Sequence, residues 1–170
     1  KLNIGLRRKN SQQIIPIEHC LVLEQPLNDL LPKLTALFAQ WSMPQQLGHI
    51  ELVAADNGIA MLLRHVKNIG ETDRTLLLRF AEQQQLMLFV QEHDSIEHWQ
   101  GEQPFYRLDD DLTLQFDIRD FIQINAQLNR QMIATALDWL ELNPQDHVLD
   151  LFCGMGNFTL PLSRKVKSAV

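Results

Sequence analysis

The stretch Val148 to Leu160, VLDLFCGMGNFTL, sets a carboxylate, a thiol and two glycines close together. An apolar run tipped by Asp150 is followed by Gly154 and Gly156, then by Asn157 and a return to apolar residues. That order reads as a strand, a tight turn and a helix, a corner that can cradle a nucleotide-type cofactor. Two ligand classes compete for it. A dinucleotide asks for G-x-G-x-x-G, and the third glycine position here is Thr159. The pyrophosphate would also meet Asp150 at the strand end, like charge against like. S-adenosylmethionine instead brings an ammonium and a sulfonium, which a carboxylate attracts, and Gly154 and Gly156 let the backbone come close to it. The residues favour S-adenosylmethionine; a dinucleotide and a corner that binds nothing are the alternatives. Cys153 reads as a small packing residue of the turn, because a reactive thiol needs an electropositive, partly open setting.

Such a turn needs elements to carry it. Upstream, Asn125 is a candidate cap for a helix AQLNRQMIATALDWLEL, with Leu128, Met132, Ile133, Ala136, Leu137 and Leu140 on one face and Asn143-Pro144 as its stop. A buried strand over 147–151, the glycine turn and a helix beginning near Phe158 complete the opening of a doubly wound α/β domain. The final SAV reads as the start of the next strand. A lone strand makes no stable sheet, so the reading is of a piece cut inside its second domain, with an open sheet edge through which copies could pair.

Residues 1–120 follow a different pattern. Segments 1–7 and 13–24 suggest a hairpin around RKNSQQ. Residues 26–41 carry Leu27, Leu30, Leu31, Leu34, Leu37 and Phe38 at helical spacing, and Pro32 predicts a helix that starts there or kinks. LGHIELVAADNGIAMLLRHVK reads as a hairpin turning at Asn57-Gly58, and ETDRTLLLRFAEQQQ as a second amphipathic helix. LMLFVQE, FYRLDD and LTLQFDI read as further strands. The expected architecture is an α+β central domain with a mainly antiparallel sheet over 1–120, then the truncated start of an α/β Rossmann-like domain, of the kind that holds S-adenosylmethionine, over 121–170.

Composition narrows the function classes. Only Cys20 and Cys153 are present, which disfavours a secreted disulfide scaffold and suits a reducing, cytoplasmic setting. No apolar run is long enough to span a bilayer. A net charge of −6 gives no bulk attraction for phosphate backbones, so any nucleic-acid contact must be local or lie in other segments. The six histidines show no metal-ligand spacing. Lys1 in place of Met suggests a cut N-terminus.

DFIQINAQLNRQM followed by VLDLFCGMGNFTLPL resembles the bacterial RNA (uracil-5-)-methyltransferases, most closely their 23S ribosomal RNA branch; HIELV and LLPKL extend the likeness over nearly the whole chain. The transfer RNA branch is similar in its Q-x-N and C-G-x-G-N-F and is the nearest confusable relative. The resemblance implies that Gln123, Phe152 and Asn157 touch the cofactor together with Asp150, Gly154 and Gly156. Read without it, Gln123 is a loop amide, Phe152 a core residue and Asn157 a helix cap. Cys20, in IEHCLVL, resembles one of four cysteine ligands of a four-iron four-sulfur cluster. The other three are expected upstream of Lys1, so no cluster is expected in this piece, where Cys20 reads as a buried free thiol. The implied reaction is covalent: a thiolate adds at uracil C6, C5 takes the methyl, and a base removes the C5 proton. Both groups are expected beyond Val170, which leaves the piece itself inactive. Residues 1–118 also allow a non-catalytic reading, a domain that orients RNA or the cluster.

Overall fold

The computed structural model describes residues 2–170, and the chain divides into two compact units, Lys1–Glu102 and Gln103–Val170. The first is built on a mixed sheet. Strands β1 (Gly5–Arg7) and β2 (Ile14–Pro16) form a small antiparallel hairpin. Helix α1 (Gln25–Phe38) follows, then β3 (Leu47–Ala55), β4 (Gly58–His65), helix α2 (Glu71–Gln83), β5 (Leu86–Glu92) and β6 (Ser95–Gln100). The four long strands lie in the order β3-β4-β5-β6. The outer pairings are antiparallel; β4 and β5 run parallel, joined by α2. A parallel pair requires a crossover, and its strands read as unbroken apolar runs, as IAMLL and LMLFV do.

Both helices cover one face of this sheet. Leu30, Leu34, Leu37 and Phe38 of α1 share a core with Leu77, Phe80 and Ala81 of α2 and with Met61, Leu63, Leu86, Leu88 and Val90 of the central strands. The odd-numbered residues of β4 and the even-numbered residues of β5 face the helices, as the two-residue period of a strand requires. Each fully buried leucine or methionine side chain contributes about 1.5–3 kcal/mol, and this cluster is what holds the unit together.

Three local expectations change. Helix α1 runs through Pro32, which is exposed, and the Asn28 carbonyl loses its helical donor there. The hairpin turn is Asp56-Asn57, one residue earlier than expected: Ala55 pairs with Gly58, and the positive φ (+132°) falls on Gly58. Strand β6 was hidden in the polar SIEHWQ, and its turn is His93-Asp94, with His93 at φ +55°.

The second unit starts with the antiparallel hairpin β7 (Phe105–Arg107) and β8 (Thr113–Gln115), around which Tyr106, Leu108, Leu114, Phe116 and Ile118 are buried. The change of sequence pattern near residue 120 thus falls inside this unit. Helix α3 (Ala126–Trp139), β9 (His147–Val148), helix α4 (Thr159–Ser163) and β10 (Ser168–Ala169) follow, with β9 and β10 parallel. The expected apolar face of α3 is inward only in part: Ile133 is buried and Ala136 and Leu137 are half-buried, but Leu128, Met132 and Leu140 are exposed, and the polar Asn129 is buried instead. The helix also stops at Trp139, short of Asn143, with Glu141 at φ +46° just beyond its end. The expected buried strand 147–151 pairs regularly only at His147 and Val148; Leu149 and Leu151 are exposed, because β10 is the one parallel neighbour among the described residues.

Asn28 ties the segment before α1 to the helix. Its amide receives the Cys20 N–H (2.8 Å) and donates to the carbonyls of Cys20 and Leu23 (3.0 Å each). Asn28→Ala leaves those backbone groups without their partner and is expected to cost about 1–3 kcal/mol. Urea unfolding reads this as a lower midpoint with an unchanged slope; an unchanged midpoint would refute it.

Candidate functional site

The approach to α3 in the second unit begins with a rigid acidic turn. Arg119 grips Asp117 through two bonds, Nε to Oδ1 at 2.8 Å and Nη2 to Oδ2 at 3.1 Å, and the Asp117 N–H donates to Asp120 (2.7 Å). The hydrogen bonds from Arg119 hold the Asp117 carboxyl below its ordinary value, and the same pairing holds the guanidinium above its own. Burial first, and the nearby Asp120 charge second, push the Tyr106 hydroxyl up. After this turn comes the irregular stretch 121–125, where Gln123 is exposed between Phe121 and Ile124. The stretch ends at Asn125, whose Oδ1 accepts from the Leu128 N–H (2.9 Å), the helix cap expected from sequence.

The glycine turn has an uncommon backbone. Phe152, Gly154 and Gly156 all lie at positive φ, +62°, +56° and +90°. For the two glycines this is inexpensive, but for Phe152 the left-handed region costs about 1–3 kcal/mol. The Phe152 side chain is fully exposed, so its own packing does not hold it there, and the reading of it as a core residue fails. The two glycines differ in purpose. A Cβ at Gly154 would meet nothing within 4 Å, so that backbone faces open space. A Cβ at Gly156 would stand 3.2 Å from Leu160 Cγ, so the missing side chain lets α4 pack against the turn. Cys153 is exposed rather than packed, with its Sγ 3.7 Å from the Gly154 carbonyl.

Two side-chain links hold the turn at its ends. Asp150 Oδ2 accepts from the Thr159 hydroxyl at 2.6 Å, joining the strand end to the first residue of α4. Asn157 does not cap α4. Its Oδ1 accepts from Asn129 Nδ2 (2.8 Å) and its Nδ2 donates to Asn129 Oδ1 (2.9 Å), a closed pair of amides between the turn and α3. Asp150, Phe152, Gly154, Gly156 and Asn157 thus lie within residues 150–157, with Phe152 and Gly154 exposed, Asp150 and Asn157 half-buried and Gly156 buried, and Gln123 lies in the segment that leads into α3. Sequence reasoning missed Asn129 and the hydroxyl of Thr159. The available signal was an asparagine four residues before the buried Ile133, a polar group on what had to be an inward face.

Cys20 belongs to the first unit and is half-buried and free. Among the described residues no group of three or more His, Cys, Asp or Glu side chains could hold a metal ion. No helix among them is long and apolar enough to cross a membrane.

With this geometry in hand, the family follows: the sequence model of the tRNA (uracil-5-)-methyltransferases matches residues 6–170, and the chain belongs to that family. Within it, the chain is 63% identical to the 23S rRNA (uracil(1939)-C(5))-methyltransferase RlmD of Haemophilus parainfluenzae, over 99% of this chain and 38% of the relative. It is 64% identical to the RlmD of Mannheimia succiniciproducens, over 100% of this chain and 39% of the relative. The chain therefore spans about two fifths of the length of these curated relatives. Among solved structures, it resembles the Pyrococcus abyssi tRNA (uracil-54, C5)-methyltransferase in complex with S-adenosyl-L-homocysteine, with a TM-score of 0.74 over 95% of this chain and 43% of that one. At 16% identity this is a likeness of fold.

The glycine geometry carries a direct expectation. Gly154→Ala should lose about 1–2 kcal/mol from backbone strain alone. Gly156→Ala should lose more, since the added methyl also crowds Leu160. Urea unfolding of both variants is the check, and equal losses would contradict the division of labour between the two positions.

Proposed function

We propose that the chain is part of a 23S ribosomal RNA uracil-5-methyltransferase. Residues 1–120 form its central domain, and residues 121–170 open its Rossmann-like, S-adenosylmethionine-binding catalytic domain. The observation that carries this reading is the glycine turn: a carboxylate at its head, positive φ at Phe152, Gly154 and Gly156, and open space in front of Gly154. The relatives above 60% identity bear ribosomal RNA names, which favours that branch over the transfer RNA branch.

The residues fit a cationic cofactor. Asp150 uses one carboxylate oxygen on Thr159, which fixes its orientation and leaves the second oxygen for an ammonium or sulfonium. The backbone at Phe152 and Gly154 lets a ligand approach without a side chain between. Asn157 keeps one N–H and one lone pair beyond those used by Asn129, and Gln123 supplies a further amide. When bound, S-adenosylmethionine would supply an electrophilic methyl group. In this reading the thiolate that attacks uracil C6 and the base for the C5 proton would come from segments other than these residues, and the 170-residue chain alone would not turn over.

Cys20 would be one thiolate ligand of a four-iron four-sulfur cluster. Such a cluster takes four, and this loop provides one, so no step is derived from it. Asn28 would hold the loop that presents it. The full-length protein would work on ribosomal RNA in the cytoplasm.

Isothermal titration of the full-length protein with S-adenosylmethionine and with NAD separates the methyl-donor reading from the dinucleotide one. Saturable binding of S-adenosylmethionine at micromolar levels, with NAD at least tenfold weaker, is expected; the reverse order would overturn the assignment. For the 170-residue chain alone, the open edges of the β9–β10 pair would support self-pairing. Size-exclusion chromatography at rising concentration should then show a shift to larger species, and a constant monomer would exclude it.

A further inference from the structure

Asn129 lies outside every cofactor contact considered so far, yet it is the residue on which Asn157 depends. It is 2% exposed, in the first turn and a half of α3, where a carboxamide is stable only with its hydrogen bonds met. Asn157 meets both, and Asn129 meets both of the corresponding bonds of Asn157. In such a closed pair each amide presents oxygen to nitrogen and nitrogen to oxygen, so neither can flip without breaking two bonds at once. The pair therefore decides which way the remaining N–H and lone pair of Asn157 point. It also ties position 157 to a 14-residue helix, while the turn just before it holds three positive-φ residues that do not hold themselves.

We infer that Asn129 is a positioning residue for the cofactor turn, acting through Asn157; this rests on the reading of that turn as the S-adenosylmethionine cradle. Asn129 sets the orientation of the Asn157 amide and keeps the turn in its left-handed form before the ligand arrives. Preorganisation of this kind lowers the ordering that binding must accomplish, so its loss weakens affinity.

Asn129→Asp tests the inference by chemistry. As a carboxylate, Asp accepts from Asn157 Nδ2 but cannot donate to Oδ1; as a neutral acid it does both and restores the amide pattern. Burial raises the pKa of such a carboxyl, so the acid form is reached on mild acidification. In the full-length protein, the dissociation constant for S-adenosylhomocysteine should be about tenfold weaker than wild type near pH 8, the scale of one lost buried hydrogen bond. It should return to within about twofold of wild type near pH 5. Recovery of this kind supports the positioning role, because a purely structural asparagine would give no matching recovery of affinity in folded protein. A double-mutant cycle adds a second readout: Asn157→Ala should weaken binding, and Asn129→Ala added to it should weaken it no further. Wild-type affinity in Asn129→Asp at every pH, a loss with no recovery, or fully additive losses in the cycle would each overturn the inference while leaving the cradle reading intact. Failure of the wild-type protein itself to bind S-adenosylhomocysteine would overturn both.

Discussion

Phe152, Gly154 and Gly156 occupy left-handed backbone within five positions, and a chain in water does not stay in that form unaided. Its persistence depends on hydrogen bonds at the two ends. At one end Thr159 gives its hydroxyl proton to Asp150, and at the other Asn129 and Asn157 exchange both amide bonds. Without these links the turn would relax toward ordinary conformations, and the open backbone face before Gly154 would be lost.

The first unit is held differently. Its stability comes from apolar burial between two helices and one sheet face, and its polar anchors are local. Asn28 binds the Cys20 loop to α1, and Asp73 at the start of α2 receives both the N–H and the hydroxyl of Ser42. Such anchors fix the entry points of helices whose hydrophobic faces would otherwise have freedom to slide. A core of this kind is a scaffold, and Asn28 anchors the Cys20 loop to it.

Much of the framework was legible in the residues. The helical spacing of leucines in α1 and α2, the paired apolar runs of β3 and β4, the asparagine cap of α3 and the glycine turn all stand where pattern placed them. Where pattern misled, the cause was a competition it does not resolve. Pro32 argued for a break, but the buried leucines on both sides of it anchor the helix to the core and offset the local cost of the proline. SIEHWQ was not among the strands read from pattern, since it is polar and an edge strand pairs through its backbone. In α3 the apolar residues suggested one buried face, of which Ile133 is buried while Leu128, Met132 and Leu140 are exposed, because the buried Asn129 shares the inward side.

The glycine turn divides in the same way. Residue type and order pointed to Asp150, Gly154 and Gly156 as candidates, because a carboxylate at a strand end and glycines at a bend are properties of the local chain, whereas Asn157 entered through the family resemblance. The partnerships were beyond local pattern. Asn129 and Asn157 are 28 positions apart, and Thr159 and Asp150 are nine. Hydrogen bonds of that span exist only after helix, strand and turn have packed, since the donors and acceptors carry no preference for one another until burial removes water as the competing partner.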